Sequence, residues 1–242
     1  MNDLLPTRRR LQKLDNKTDG RCFACNLLWE DTNHVLCCTS EARSASRATA
    51  MTTFRQHLTQ QRTPNVMTNL LCTSMESWLN RNRIAPPTWA PPLEPIHHDI
   101  QRAFASQRRI SWDQFFRGRI TLDWRKAIAT YYHDCRPGPA FTPDQWLRTT
   151  IKALWNFSLT IWRARNLEYH GENGAISQER IRKVTALQAK AVYQDTIGNV
   201  SQPDSAILHR SNINTILNWT KQHLDAYLAT AEVICEWNVE PG

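Results

Sequence analysis

Residues 21 to 38 read RCFACNLLWEDTNHVLCC and hold four of the chain's seven cysteines together with His34. Cys22 and Cys25 are separated by two residues, the spacing that lets two thiolates on a tight turn reach one ion; His34 follows, and Cys37 and Cys38 each offer a fourth ligand. Zinc takes four nitrogen or sulfur donors in a tetrahedron, and a thiolate-rich set with one imidazole closes that shell without room for a catalytic water. The expected chemistry is therefore structural, one zinc ion in a closed knuckle. Two other roles compete for the same residues. Free cysteines pack well as small buried hydrophobes, and a redox C-x2-C requires a strand before it and a helix behind it, where this chain has a polar, basic leader. Spacing alone does not choose between Cys37 and Cys38.

A second set of residues suits phosphate. Arg8, Arg9, Arg10, Lys13, Lys17 and Arg21 precede the knuckle, against Asp3, Asp15 and Asp19. Arg102, Arg108, Arg109, Arg117, Arg119, Arg125 and Lys126 form a second basic cluster, interleaved with Trp112, Phe115, Phe116 and Trp124. Arginines beside aromatics make a stacking surface for single-stranded RNA, while helical amphipathicity alone produces an apolar core face and a solvated basic one. The aromatics are read as core and the arginines as candidate phosphate contacts. The formal charge of +8 is uneven. From residue 199 onward Arg210 and Lys221 face Asp204, Asp225, Glu232, Glu236 and Glu240, leaving −3, so residues 1–198 hold +11. Such a field favours polyanions, RNA or DNA, because neutralised phosphates release counterions.

The elements that must position these groups read as helices. Seven glycines against ten tryptophans, with few alternating β-branched runs, point to an all-α chain. In TPDQWLRTTIKALWNFSLTIWRARNLEYHG, Thr142 suits an N-cap, Pro143 the first helical position and Gly171 the residue past the end. Leu147, Ile151, Leu154, Trp155, Ile161 and Trp162 line one apolar face. Another helix is expected from Ser177 to Ile197, burying Ile181, Val184, Leu187, Ala191 and Val192, and another from Ser211 to about Trp237. Upstream, 41–62 and 64–83 read as a helical pair, and 96–109, 111–117 and 121–134 as shorter helices. Five prolines in residues 84–95 impose an extended joint. The expected organisation is a basic arm and knuckle (1–40), a helical pair (41–83), the Pro-rich linker (84–95) and a helical bundle (96–242).

Cys72, Cys135 and Cys235 stand alone in an odd cysteine set, which argues against a secreted disulfide framework and for a reducing compartment, nucleus or cytoplasm. MNDLLPTRRRLQKLD has no apolar run before its arginines, and no long apolar stretch occurs, so neither a signal peptide nor a membrane span is expected. There is no P-loop, and none of the twelve aspartates adjoins another.

C-x2-C followed by WEDTNHVLCC resembles the zinc-binding segment downstream of the reverse transcriptase in non-LTR retrotransposon polyproteins. There the last cysteine falls four positions after the histidine, so the resemblance implies Cys22, Cys25, His34 and Cys38 as the ligands. Asn26 and the Cys-Cys pair depart from that pattern, Asn26 standing where the family often has glycine. SWDQFFRGRITLDW and LWNFSLTIWRARNLEYHG are similar to the Trp-rich helical tail that follows in such elements. The resemblance implies a nucleic-acid-binding accessory segment, without a polymerase or catalysis of its own, that partners a reverse transcriptase. RNLEYHG also resembles the HEPN ribonucleases, which would make His170 an acid/base group, Arg165 its phosphate-binding partner and Asn166 a residue that positions them. Against that, cations are favoured at helix C-termini for their own sake. A third alternative is a non-catalytic protein-interaction fragment.

Overall fold

The computed structural model describes residues 6–15, 19–26, 29–89, 95–135 and 137–239, except the side chains of 95 and 236–239. Among the described residues the protein is all-helical, with one isolated antiparallel bridge between Arg21 and Trp29 and no strand. No helix among them is long and apolar enough to cross a membrane.

The chain divides into two compact units, the first ending at Glu168 and the second beginning at Tyr169. The first contains α1 (Arg8–Leu14), α2 (Thr32–Cys37), α3 (Glu41–Gln60), α4 (Asn65–Leu79), α5 (Pro95–Ile110), α6 (Trp112–Phe116), α7 (Leu122–Cys135) and almost all of α8 (Pro143–His170). The division differs from the expected one. Leu79 before the Pro-rich stretch and Ile100, Trp124 and Phe157 beyond it belong to one hydrophobic cluster, and Ile84 and Trp89 pack against it. Residues 84–89 therefore run along this shared core, and Trp89 stacks on His97 at 4.7 Å. Residues 90–94 of the joint lie outside the described residues. Within the knuckle, Val35, Leu36 and Cys37 of α2 are also part of this cluster.

The long helix α8 begins as its sequence dictates: the Gln145 amide donates to the Thr142 hydroxyl at 3.1 Å, ahead of Pro143 and Asp144. Gly171 follows its end at φ 74°, where an added Cβ would meet Ile176 at 2.7 Å. Its buried stripe, however, runs through Trp146, Thr150, Leu154, Phe157, Ser158, Ile161 and Arg165, while Trp155 is exposed. The stripe is rotated from the expected one because polar side chains occupy core positions. Trp146 donates to Thr63 at 2.8 Å, Ser158 to the Phe116 carbonyl at 3.1 Å, and Arg165 pairs with Glu30. A satisfied polar group can be buried at little cost, and hydropathy cannot register its partner.

The second unit holds a 3-10 turn (Glu172–Gly174), α9 (Ala175–Thr196), α10 (Gln202–Leu208), α11 (Ile213–Leu217) and α12 (Lys221–Val239). The single helix expected from Ser211 is two. Asn212 caps α11 by accepting from the Thr215 amide at 2.9 Å, and the Thr220 hydroxyl accepts from the His223 amide at 3.4 Å as the chain restarts. Arg182 donates to the Leu217 and Trp219 carbonyls at the break, satisfying acceptors that a continuous helix would have used. The expected face of α9 is buried only in part, through Val192, which packs against the core of this unit. Ile181, Val184 and Leu187 are 50, 57 and 65% exposed, and α9 packs through Thr185, Ala186 and Ala189 in a cluster with Leu224, Tyr227 and Ala231. Small side chains let the helix axes approach closely, which outweighs the hydropathy of the opposite stripe.

Candidate metal centre

Three local features assemble the cluster. The Asn26 amide donates to the Cys22 carbonyl at 2.7 Å, closing the turn that carries Cys22 and Cys25, and Asn26 itself sits at φ 54°. That left-handed conformation suits glycine best and asparagine next, so Asn26 is accommodated at the end of this turn. The Glu30 amide donates to the Gly20 carbonyl at 2.9 Å, and the Arg21–Trp29 bridge folds the segment back. Asp31 then caps α2 by accepting from the His34 amide at 2.8 Å. His34 lies on this helix and Cys38 at its C-cap four residues later, so both face the same side.

The ligand atoms of Cys22, Cys25, His34 and Cys38 all lie within 4.8 Å of one another, and this cluster can hold a metal ion. The Cys22 and Cys38 sulfurs are 3.8 Å apart, and the Cys25 sulfur is 3.4 Å from His34 Nε2. In a tetrahedral site with bonds of about 2.3 Å to sulfur and 2.0 Å to nitrogen, those edges measure about 3.8 Å and 3.5 Å. Those two edges match a tetrahedral ion of that size, and every other donor pair lies within 4.8 Å. Cys37, one residue away from Cys38, points elsewhere. It is buried in the core near the Trp78 carbonyl, and burial pushes its thiol up to about 11. All seven cysteines are free thiols. Within the close pair, a hydrogen bond from Cys38 holds Cys22 well below the ordinary thiol range, and Cys38 is raised as the donor of that bond and by burial.

Behind Cys22 lies a buried charge network. Arg43 on α3, fully buried, donates to the Cys22 sulfur at 3.5 Å, to Glu30 at 3.4 Å and to Glu168 at 3.1 Å. Glu30, also fully buried, accepts from Arg165 and from the Arg8 amide at 3.1 Å. The Phe23 ring lies 5.1 Å from the Arg43 guanidinium and 5.5 Å from that of Arg165. Sequence reasoning misses Glu30 and Arg43, because charged residues on polar segments read as solvent-facing. Arg165 is noticed for phosphate binding, but its guanidinium is 2% exposed and committed to Glu30, to Asn166 at 3.1 Å and to the Trp162 ring. His170 is hydrogen-bonded to Ser177 at 2.8 Å.

The remaining candidate residues are dispersed. Arg9, Arg10 and Lys13 on α1 line a groove with Thr7, Asp31 and Thr32 beside the metal centre, and Arg9 pairs with Asp31 at 3.3 Å. Arg8 donates to the Asp19 carbonyl at 2.7 Å, Arg21 is exposed, and Lys17 lies outside the described residues. Arg108 and Arg109, exposed at the end of α5, line a cavity of about 820 Å³ with Pro86 and Pro87. Arg117 and Arg119 are held instead by Asp113 at 3.7 Å and Gln114 at 2.9 Å. Trp112, Phe115, Phe116 and Trp124 are all buried, so they supply core rather than a stacking surface.

Comparison with protein-family models, with curated proteins and with solved structures finds no match for this chain. Fold and site together define an all-α protein with a candidate Cys3His metal centre built into its core.

Proposed function

We propose that the chain is a nucleic-acid-binding accessory segment of a non-LTR retrotransposon, in which Cys22, Cys25, His34 and Cys38 hold one structural zinc ion. The observation that carries the metal reading is the pair of tetrahedral edges, 3.8 Å between two sulfurs and 3.4 Å between a sulfur and an imidazole nitrogen. With all four positions taken by protein donors, the ion would supply cross-linking and not chemistry. The four side chains tie the Cys22–Cys25 turn to α2, and Asp31, which caps α2, also pairs with Arg9 of α1. Arg9, Arg10 and Lys13 are thereby presented as a basic groove beside the centre, with Arg108 and Arg109 as a second basic site. Such groups grip phosphates without reading sequence, which suits a segment that brings template RNA to a reverse transcriptase.

Zinc content measured on purified protein, with RNA binding followed by fluorescence anisotropy, tests this reading. About one zinc per chain is expected, and affinity should fall when Cys22 and Cys25 are both replaced by serine. Metal-free protein with unchanged affinity overturns it. One observation favours a second reading, a protein-interaction fragment: the exposed Ile181, Val184 and Leu187 stripe on α9. Capture of a reverse transcriptase that is lost on Val184→Lys, without zinc-dependent RNA binding, would support that alternative.

A further inference from the structure

The four candidate ligands all lie within residues 22 to 38, which on sequence grounds makes the centre a local staple. Its surroundings are not local. Arg43 belongs to α3, Arg165 and Glu168 to α8, and all three converge on Glu30 and Cys22. Each side of the Arg43 guanidinium has a different acceptor: Nη1 meets the Cys22 sulfur, Nη2 meets Glu30 and Nε meets Glu168. A fully buried guanidinium requires such partners, since an unpaired charge away from water is strongly destabilising.

The charges explain why a sulfur is among them. Arg43 and Arg165 are two buried cations facing one fully buried carboxylate, Glu30, while Glu168 at the edge is a quarter exposed and shares its charge with solvent. A divalent ion with three thiolates and a neutral imidazole carries −1, which matches the remaining buried positive charge. Residues that hydrogen-bond to metal ligands orient them and stabilise their charged form. Arg43 stands in that position, and Glu30 relays its placement to Arg165 on α8.

Resting on the zinc reading above, we infer that Arg43 is the positioning residue of the metal centre and that, through Glu30 and Arg165, occupancy of the centre is coupled to the packing of residues 158–168 of α8. Metal binding thereby organises the core of the first unit, joining segments more than a hundred residues apart, and not the knuckle alone. Arg165, which reads in the sequence as a phosphate-binding group, becomes an internal counter-charge beside Arg43.

The test uses the full chain, loaded with zinc or stripped by a chelator, followed by hydrogen–deuterium exchange. Zinc affinity is measured in parallel by competition with a chromophoric chelator. Stripping should accelerate exchange in 158–168 and 41–47 as well as in 20–38. Arg43→Met should weaken zinc binding roughly 10- to 100-fold and leave exchange of 158–168 insensitive to zinc, and Arg43→Lys, which keeps the charge but loses the fork, should recover part of the affinity. If Arg43→Met does not fold, the loaded and stripped forms of the unaltered chain decide the question. Zinc uptake with exchange changes confined to 20–38, or an Arg43→Met affinity within twofold of the original, overturns the coupling and leaves the metal reading standing. No zinc uptake overturns both.

Discussion

Replacing Arg165 by methionine separates its two assigned roles. The side chain is 2% exposed, donates through Nε at 3.2 Å and through Nη2 to one oxygen of Glu30, and lies against Trp162 and Phe23. Methionine fills the volume of the aliphatic stem but removes every donor. Breaking one side of a buried ion pair costs about 3 to 5 kcal/mol, because the remaining charge is left without compensation. Glu30 would keep Arg43 at 3.4 Å and the Arg8 amide at 3.1 Å, so the lower end, about 3 kcal/mol, is expected. For a unit of this size the urea dependence is about 2 kcal/mol per molar, which converts that loss to a midpoint shift of about 1.5 M. Urea unfolding of zinc-loaded protein, followed by far-UV circular dichroism, reads the shift directly. A companion Glu30→Gln variant and the double variant complete a cycle whose coupling energy should exceed 1 kcal/mol, on the order expected for residues in one network. A midpoint shift below about 0.3 M, well under the buried-pair range, would refute the assignment of Arg165 as a structural counter-charge. Loss of an RNA-cleaving activity with unchanged stability would restore its catalytic reading.

Cobalt substitution distinguishes the adjacent cysteines: Cys38→Ser should weaken the sulfur-to-cobalt charge-transfer band by about a third, one thiolate of three, whereas Cys37→Ser should leave the band intact and cost core stability. Burial holds the His57 imidazole below its ordinary 6.5, so it is neutral in both states at pH 7.5. As pH falls below 6.5 the unfolded chain gains a proton that the folded chain resists, and stability declines until the folded imidazole also titrates. His57→Gln should flatten this loss between pH 7.5 and 5.5 in denaturation midpoints, and identical profiles for the two proteins would exclude the effect; Lys152 is the charged neighbour in its cavity. Joint replacement of Arg9, Arg10 and Lys13 by alanine should reduce the salt slope of RNA binding by about 1 for each phosphate these side chains neutralise, with no change in zinc content, and an unchanged slope would remove the α1 groove from the interface.

Much of the fold is legible because it is written in short-range patterns. Thr142, Pro143 and Gly171 mark the limits of α8 through local backbone chemistry, and most upstream helix boundaries lie close to those read from periodicity. Which face a helix buries is less local. Ile181, Val184 and Leu187 form a conventional apolar stripe, yet α9 packs through Ala186 and Ala189, because close approach to α12 depends on the shape of both helices. The Pro-rich joint is readable as extended chain, but that Leu79 before it and Ile100 beyond it share one core is decided only by folding.

The metal centre divides in the same way. Its ligand types and the C-x2-C turn are present in the sequence, since a span of seventeen residues contains all four donors. Tertiary structure separates Cys38 from Cys37: α2 directs one sulfur to the cluster and the other beneath Trp78. It also recruits Glu30, Arg43 and Arg165, whose partners lie as far as 135 residues away and leave no spacing to detect. Local sequence determines which donors can reach one another within a turn; only the folded core, where a charge must find its opposite or pay for burial, decides which distant residues surround them.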